Sequence, residues 1–207
     1  KDRPSGIWET SNYAAVYGSF RNALNLRFRY DYATEVFLNQ RFRIDSFLAS
    51  GSGLLTNWLS MNISYRRGKA IFFFAAPYQG RNTNLSVSAT LQPSDQFRGD
   101  LSFVYVTFHR ESDGLKIYEY PISRAKLTYQ MDRYLFFRGI VEYNKFRKQL
   151  LTDFLASFTY IPGTVAYLGY GSIYKKTRGD NGSYVEDLDF LEMQRGIFFK
   201  MSYLWRS

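Results

Sequence analysis

Apolar and polar residues alternate one by one through most of this 207-residue chain, and no segment shows the 3.6-residue repeat of an amphipathic helix. A β-strand sends successive side chains to opposite faces, so alternation predicts strands with two unlike faces. The last segment, "RGIFFKMSYLWRS" (195–207), shows it most clearly. Ile197, Phe199, Met201, Tyr203 and Trp205 fall on one side. Phe198, Lys200, Ser202, Leu204 and Arg206 fall on the other. An apolar, aromatic stripe on a final strand is the closing-strand signal of a bacterial outer-membrane β-barrel.

The same pattern recurs upstream. Leu24, Leu26, Phe28, Tyr30 and Tyr32 alternate with Asn25, Arg27, Arg29 and Asp31. Leu59, Met61, Ile63 and Tyr65 alternate with Ser60, Asn62, Ser64 and Arg66. Leu85, Val87, Ala89 and Leu91 face away from Asn84, Ser86, Ser88 and Thr90. Ala125, Leu127, Tyr129 and Met131 face away from Arg124, Lys126, Thr128 and Gln130.

Composition agrees with that reading. Aromatic residues make up 19% of the chain, with 18 Tyr and 19 Phe, and Cys is absent. Aromatic girdles at two membrane interfaces would use such a supply. The longest apolar run, "AIFFFAAP" (70–77), falls far short of the roughly 20 residues of a spanning helix. The mean hydropathy is negative, which suits a barrel in which only every second residue meets lipid. Zero Cys excludes a disulfide framework and thiolate chemistry. The chain opens "KDRPSG" with no apolar targeting segment, which reads as a mature form or a fragment.

Turn-forming residues predict tight turns at 31–35, 66–69, 92–96, 130–133 and 161–164. Longer or more polar connectors are expected at 18–22, 46–56, 77–82, 109–120, 144–149 and 175–192. Working back from a last strand directed to the periplasm, the tight turns are all periplasmic and the longer connectors all external, as in outer-membrane barrels. The expected fold is an all-β, antiparallel, up-and-down transmembrane β-barrel of about twelve strands, forming a single domain over 1–207.

Two stretches carry a family resemblance: "YNKFRKQLLTDFLASFTYIPGTVAYLGYGSIYKK" (143–176) and the terminal "FFKMSYLWR" (198–206). With the Pro162–Gly163–Thr164 turn and the "YLGYGS" of 167–172, they resemble the C-terminal part of an uncharacterised Bacteroidetes-type outer-membrane protein family. In that family an N-terminal carbohydrate-binding-like sandwich precedes a barrel. The resemblance covers roughly the last third of the chain well. It implies an outer-membrane barrel and no catalytic residues. The chain lacks the sandwich, so it is expected to be a C-terminal piece of a larger barrel or a short relative.

Charge placement supplies the functional expectation. The net charge is +9. Arg27, Arg29, Arg41, Arg43, Arg66, Arg124, Lys126, Arg138 and Lys200 are read as opposite the apolar stripe, with Asp31, Asp45, Asp100, Glu142 and Asp153. A charge on a lipid face costs ~2–4 kcal/mol at the midplane, so these side chains are expected in the lumen. Two uses stay open: an anion-favouring channel, or a narrow interior filled by ion-pair networks. The expected function is a channel or transport component, or a membrane-embedded scaffold with a cationic interior. The expected location is the bacterial outer membrane.

Expected partners are outer-membrane lipid, the barrel-assembly machinery, and other outer-membrane subunits or glycans. Nucleic acid is not expected, because the basic residues lie opposite the aromatic ones and make no mixed stacking patch. The alternatives are a soluble β-sandwich binding an acidic partner and a barrel hydrolase built on His109 near Glu111, Ser112 and Asp113. No enzymatic activity, cofactor or metal is expected. The acidic Asp180, Glu186, Asp187, Asp189 and Glu192 lack EF-hand spacing, and "RGDNG" (178–182) reads as a turn.

Overall fold

The structure is a computed structural model that describes residues 6–21, 23–161, 163–176 and 190–204. Every regular element among them is a strand. These are β1 (Thr10–Ser19), β2 (Asn25–Phe37), β3 (Gln40–Thr56), β4 (Leu59–Phe72), β5 (Tyr78–Ser94), β6 (Phe97–Arg110), β7 (Lys116–Gln130), β8 (Leu135–Asn144), β9 (Gln149–Ile161), β10 (Thr164–Lys175) and β11 (Leu191–Ser202). They form one antiparallel, up-and-down sheet in chain order, each strand pairing with its sequence neighbours. Pairing each strand with the next one satisfies backbone donors and acceptors across short connections.

The sequence suggested about twelve strands, and eleven are present among the described residues. The difference arises before β5. The expected turns at 31–35 and 66–69 lie inside β2 and β4, and the expected connector at 46–56 lies inside β3. Gly51, Gly53 and Gly68 there are close-packing residues. A Cβ at Gly68 would strike Ser46 and the Asp45 carbonyl, and one at Gly53 would press on Leu24. Two turns replace these three expected connections, one at Asn57–Trp58 and one at Leu38–Asn39. Leu38 and Asn39 both have positive φ, 48° and 61°, as the two central positions of a type I′ hairpin require. The expected connector at 77–82 lies mostly inside β5, and the chain connects at 73–77 instead. After β5 the described connectors fall where the sequence puts them.

The strands group into two compact units. The first holds β1 to β4, most of β5, the second half of β6 and the start of β7. In it the register stacks Val16, Phe28, Ala49 and Tyr65 side by side, followed by Gly18, Leu26, Gly51 and Ile63. The opposite face carries Tyr17, Arg27, Ser50 and Ser64, then Ala15, Arg29, Leu48 and Arg66.

The second unit holds the end of β5, the start of β6, the rest of β7 and β8 to β11. One face aligns Leu127, Gly139, Phe154, Tyr170 and Ile197, and beside them Tyr129, Phe137, Ala156, Leu168 and Phe199. The other aligns Lys126, Ile140, Asp153 and Gly171, with Lys200 level with Tyr167. Each unit therefore has one apolar and one polar face.

Hydrophobic burial is inverted relative to a soluble domain. Among the described residues only Phe42, Ile71 and Phe108 form a buried hydrophobic core. The apolar faces stay open instead: Ile197 is 76% exposed, Phe199 69% and Phe154 50%.

Candidate functional site: the charged faces

On the polar face of the first unit, the Arg29 Nε donates to Asp31 Oδ1 at 2.7 Å. The two residues are neighbours on that face because they are two apart in a strand. The Arg29 guanidinium also stacks on the Tyr13 ring, 4.3 Å from its centroid, and Arg27 lies 5.3 Å from that of Tyr17. Arg27 and Arg66 meet no carboxylate among the described residues. A cavity of about 330 Å³ opens on this face between Arg29, Asp31, Ser46, Arg66, Lys69 and Asn82. One oxygen of Asp31 and the amide oxygen of Asn82 are buried without a hydrogen-bond partner. A buried polar atom without a partner raises the free energy, so a bound water or solute would be favoured there.

Toward the connectors at 73–77 and 111–115, the same face carries a cluster of rings. Phe72 stacks on Tyr78 with centroids 5.1 Å apart, and Phe108 lies 5.6 Å from Phe72 and 5.5 Å from Tyr118. Tyr118 in turn meets Tyr120 at 5.0 Å. Phe108 is only 2% exposed. Sequence reasoning missed this cluster. Its signal is the break in alternation at "AIFFFAAP", where Phe72 occupies a position of the polar face.

The second unit carries denser ion pairing on its polar face. Asp100 accepts from Thr90 Oγ1 at 3.0 Å and from Arg98 Nε at 3.2 Å, and Lys126 Nζ approaches its other oxygen at 3.6 Å. Arg124 pairs with Glu142 at 3.4 Å, and Arg138 with Asp153 at 3.3 Å. Lys200 meets no carboxylate among the described residues. Arg98 was not among the expected basic residues, although its two-residue spacing from Asp100 signals a same-face pair.

Arg27, Arg29 and Arg66 thus share one face, and Arg124, Lys126, Arg138 and Lys200 share another. Arg41 and Arg43 do not belong with them, and neither does Asp45. The β2–β3 register sets Arg43 beside Thr34 and Asp45 beside Tyr32, in the rows that hold Tyr30 and Phe47. Arg41 Nη2 donates to Thr34 Oγ1 at 3.2 Å. Arg43 lies over the Tyr32 ring at 5.1 Å and pairs with Asp45 at 3.5 Å. The reason is parity: β3 runs unbroken from 40 to 56, so its odd positions hold Arg41, Arg43 and Asp45 together with Phe47 and Ala49. These charges sit by the Leu38–Asn39 turn, at the strand end, where a long side chain reaches polar surroundings.

The closing-strand residues Ile197, Phe199 and Met201 lie on the apolar face, opposite Tyr170, Leu168 and Ala166. Tyr203 follows the strand and is exposed. Trp205 lies outside the described residues, as do Pro162, the "RGDNG" turn and the acidic residues between 180 and 189. His109 lines a cavity on the apolar side of the first unit, beside Arg81, Thr107 and Glu111. Its imidazole makes no side-chain hydrogen bond among the described residues.

No protein-family model matches the chain, and no curated protein matches it. Among solved structures it is similar to the NanC porin in its rhombohedral crystal form. The TM-score is 0.38 and the identity 11%, over 95% of this chain and 94% of that one.

Proposed function

We propose that this chain is an outer-membrane β-barrel protein that acts as a channel or transport component with a cationic interior. One observation carries the reading: large apolar side chains cover one face of each unit and remain exposed, while the buried hydrophobic core of the described residues is three side chains. Soluble monomers rarely expose apolar patches beyond a few hundred Å². Hydrocarbon around the sheet would cover this surface, and antiparallel pairing satisfies the backbone inside it.

The polar faces then line the interior. Arg27, Arg66 and Lys200 lack carboxylate partners there, so the interior prefers anions, and low-dielectric surroundings strengthen that preference. The aromatic cluster around Phe108 supports an interior that is occluded at one end rather than wide open.

The test is insertion. The purified protein should fold into detergent micelles and lipid vesicles, with lower gel mobility after heating than before. A chain that stays soluble and monomeric in plain buffer would refute the reading. In planar bilayers, a reversal potential toward cation preference would refute the cationic interior.

A further inference from the structure

On the apolar side of the first unit lies a patch whose chemistry does not suit hydrocarbon. Arg67 sits level with Tyr30 and Phe47 in the register. Alternation puts Arg81 of β5 and Tyr105 of β6 on the same side. Together with Tyr65, Thr83 and His109 they line a cavity of about 470 Å³, close to the 111–115 connector. Arg67 and Arg81 are both exposed, and neither meets a carboxylate, ring or hydrogen-bond acceptor among the described residues. The other charges nearby are already matched. Glu111 pairs with Lys69 at 2.8 Å, and Arg110 with Asp113 at 3.4 Å. The cavity therefore presents two unneutralised guanidinium groups flanked by phenol and threonine hydroxyls.

The stripe that continues away from this patch is apolar. It runs through Tyr65, Ile63 and Met61 on β4 and Leu85 and Val87 on β5. A ligand that satisfies both surfaces has an anionic head and hydrocarbon tails.

We propose that Arg67 and Arg81 form a binding site for the phosphate of a membrane lipid, whose acyl chains lie along the apolar stripe. Guanidinium groups bind phosphate through short, charge-assisted hydrogen bonds. Tyr65 and Tyr105 supply the amphipathic rings that favour the level of the headgroups. A free phosphate ion would use the same arginines but gain nothing from the stripe. The inference rests on the reading that the apolar face meets lipid, and it adds which lipid chemistry is held and where.

Native mass spectrometry of the detergent-solubilised protein tests it, with diphosphoryl lipid A as the probe. The wild type should retain lipid A, and R67A/R81A should lose it. Each arginine should account for about a fivefold loss of affinity. R133A, at an exposed arginine in the second unit, should bind as the wild type does. R67K/R81K keeps the charges and should retain part of the binding if the alanine variant fails to fold. Equal retention by the wild type and R67A/R81A would overturn the proposal. So would displacement of lipid A by inorganic phosphate at matched concentration, which would mark a free-anion site. A wild type that inserts into vesicles yet holds no lipid A overturns this inference alone. A wild type that does not insert overturns the barrel reading as well.

Discussion

The ring of Phe108 lies over Gly80, so that a Cβ at residue 80 would collide with the ring edge and with the His109 carbonyl oxygen. The close approach lets the largest fully buried side chain of the described residues sit flat on its neighbouring strand. Glycine here is a packing requirement. Gly80→Val should lower stability by about 1–3 kcal/mol through overpacking. A urea titration of the vesicle-folded protein, read by heat-modifiable gel mobility, measures it.

Removing the ring tests occlusion. Phe108→Ala leaves a void beside Phe72, Tyr78 and Tyr118 and should destabilise by about 3–5 kcal/mol. If the cluster closes one end of the interior, the same variant should conduct more than the wild type in planar bilayers. Adding Arg66→Glu in that background should then shift the reversal potential toward cations, because Arg66 has no carboxylate partner to release.

Val141 and Ile140 are adjacent in β8 but face opposite ways, Val141 level with Ala125 and Ile140 level with Lys126 and Asp153. Val141→Arg should cost ~2–4 kcal/mol of folding stability in vesicles, as a charge on a lipid face does. Ile140→Arg should cost far less, since it lies on the polar face that already carries Lys126, Arg138 and Asp153. Equal costs in parallel urea titrations would mean that neither face meets hydrocarbon.

The Leu38–Asn39 turn is chemically suboptimal. Leucine in the left-handed region carries a steric cost of roughly 1–2 kcal/mol, and its side chain is exposed. Replacing the pair by Asn-Gly should stabilise the protein by about 1 kcal/mol, seen as a higher urea midpoint with an unchanged slope.

That turn also explains what could be read from the sequence. Facing was legible in β2, β4, β7 and β11, where Arg27, Arg66, Lys126 and Lys200 alternate with residues such as Phe28, Tyr65, Leu127 and Phe199. The two chemistries differ enough there to fix parity without a partner strand. It failed in β3. Ser46, Gly51 and Gly53 resemble loop residues in composition, and only their close approaches to Gly68, Leu26 and Leu24 show why small residues are needed. Leu38 hid the true turn because nothing in a leucine announces positive φ. Once the turn moved, Arg41, Arg43 and Asp45 changed sides. The Phe108 cluster was illegible for a different reason: rings on a polar face look like noise until their mutual packing is seen.

The chain-order pairing of the strands bears on how such a sheet comes into being. Thr10 and Thr34, the outermost partners of the first hairpin, are separated by only a short stretch of chain. Because closure entropy grows slowly with loop length, short hairpins are inexpensive to form. No strand must wait for a distant segment to arrive before it has a neighbour. Each new strand finds its template already laid down beside it, so the sheet can lengthen sideways one hairpin at a time, growing at one edge.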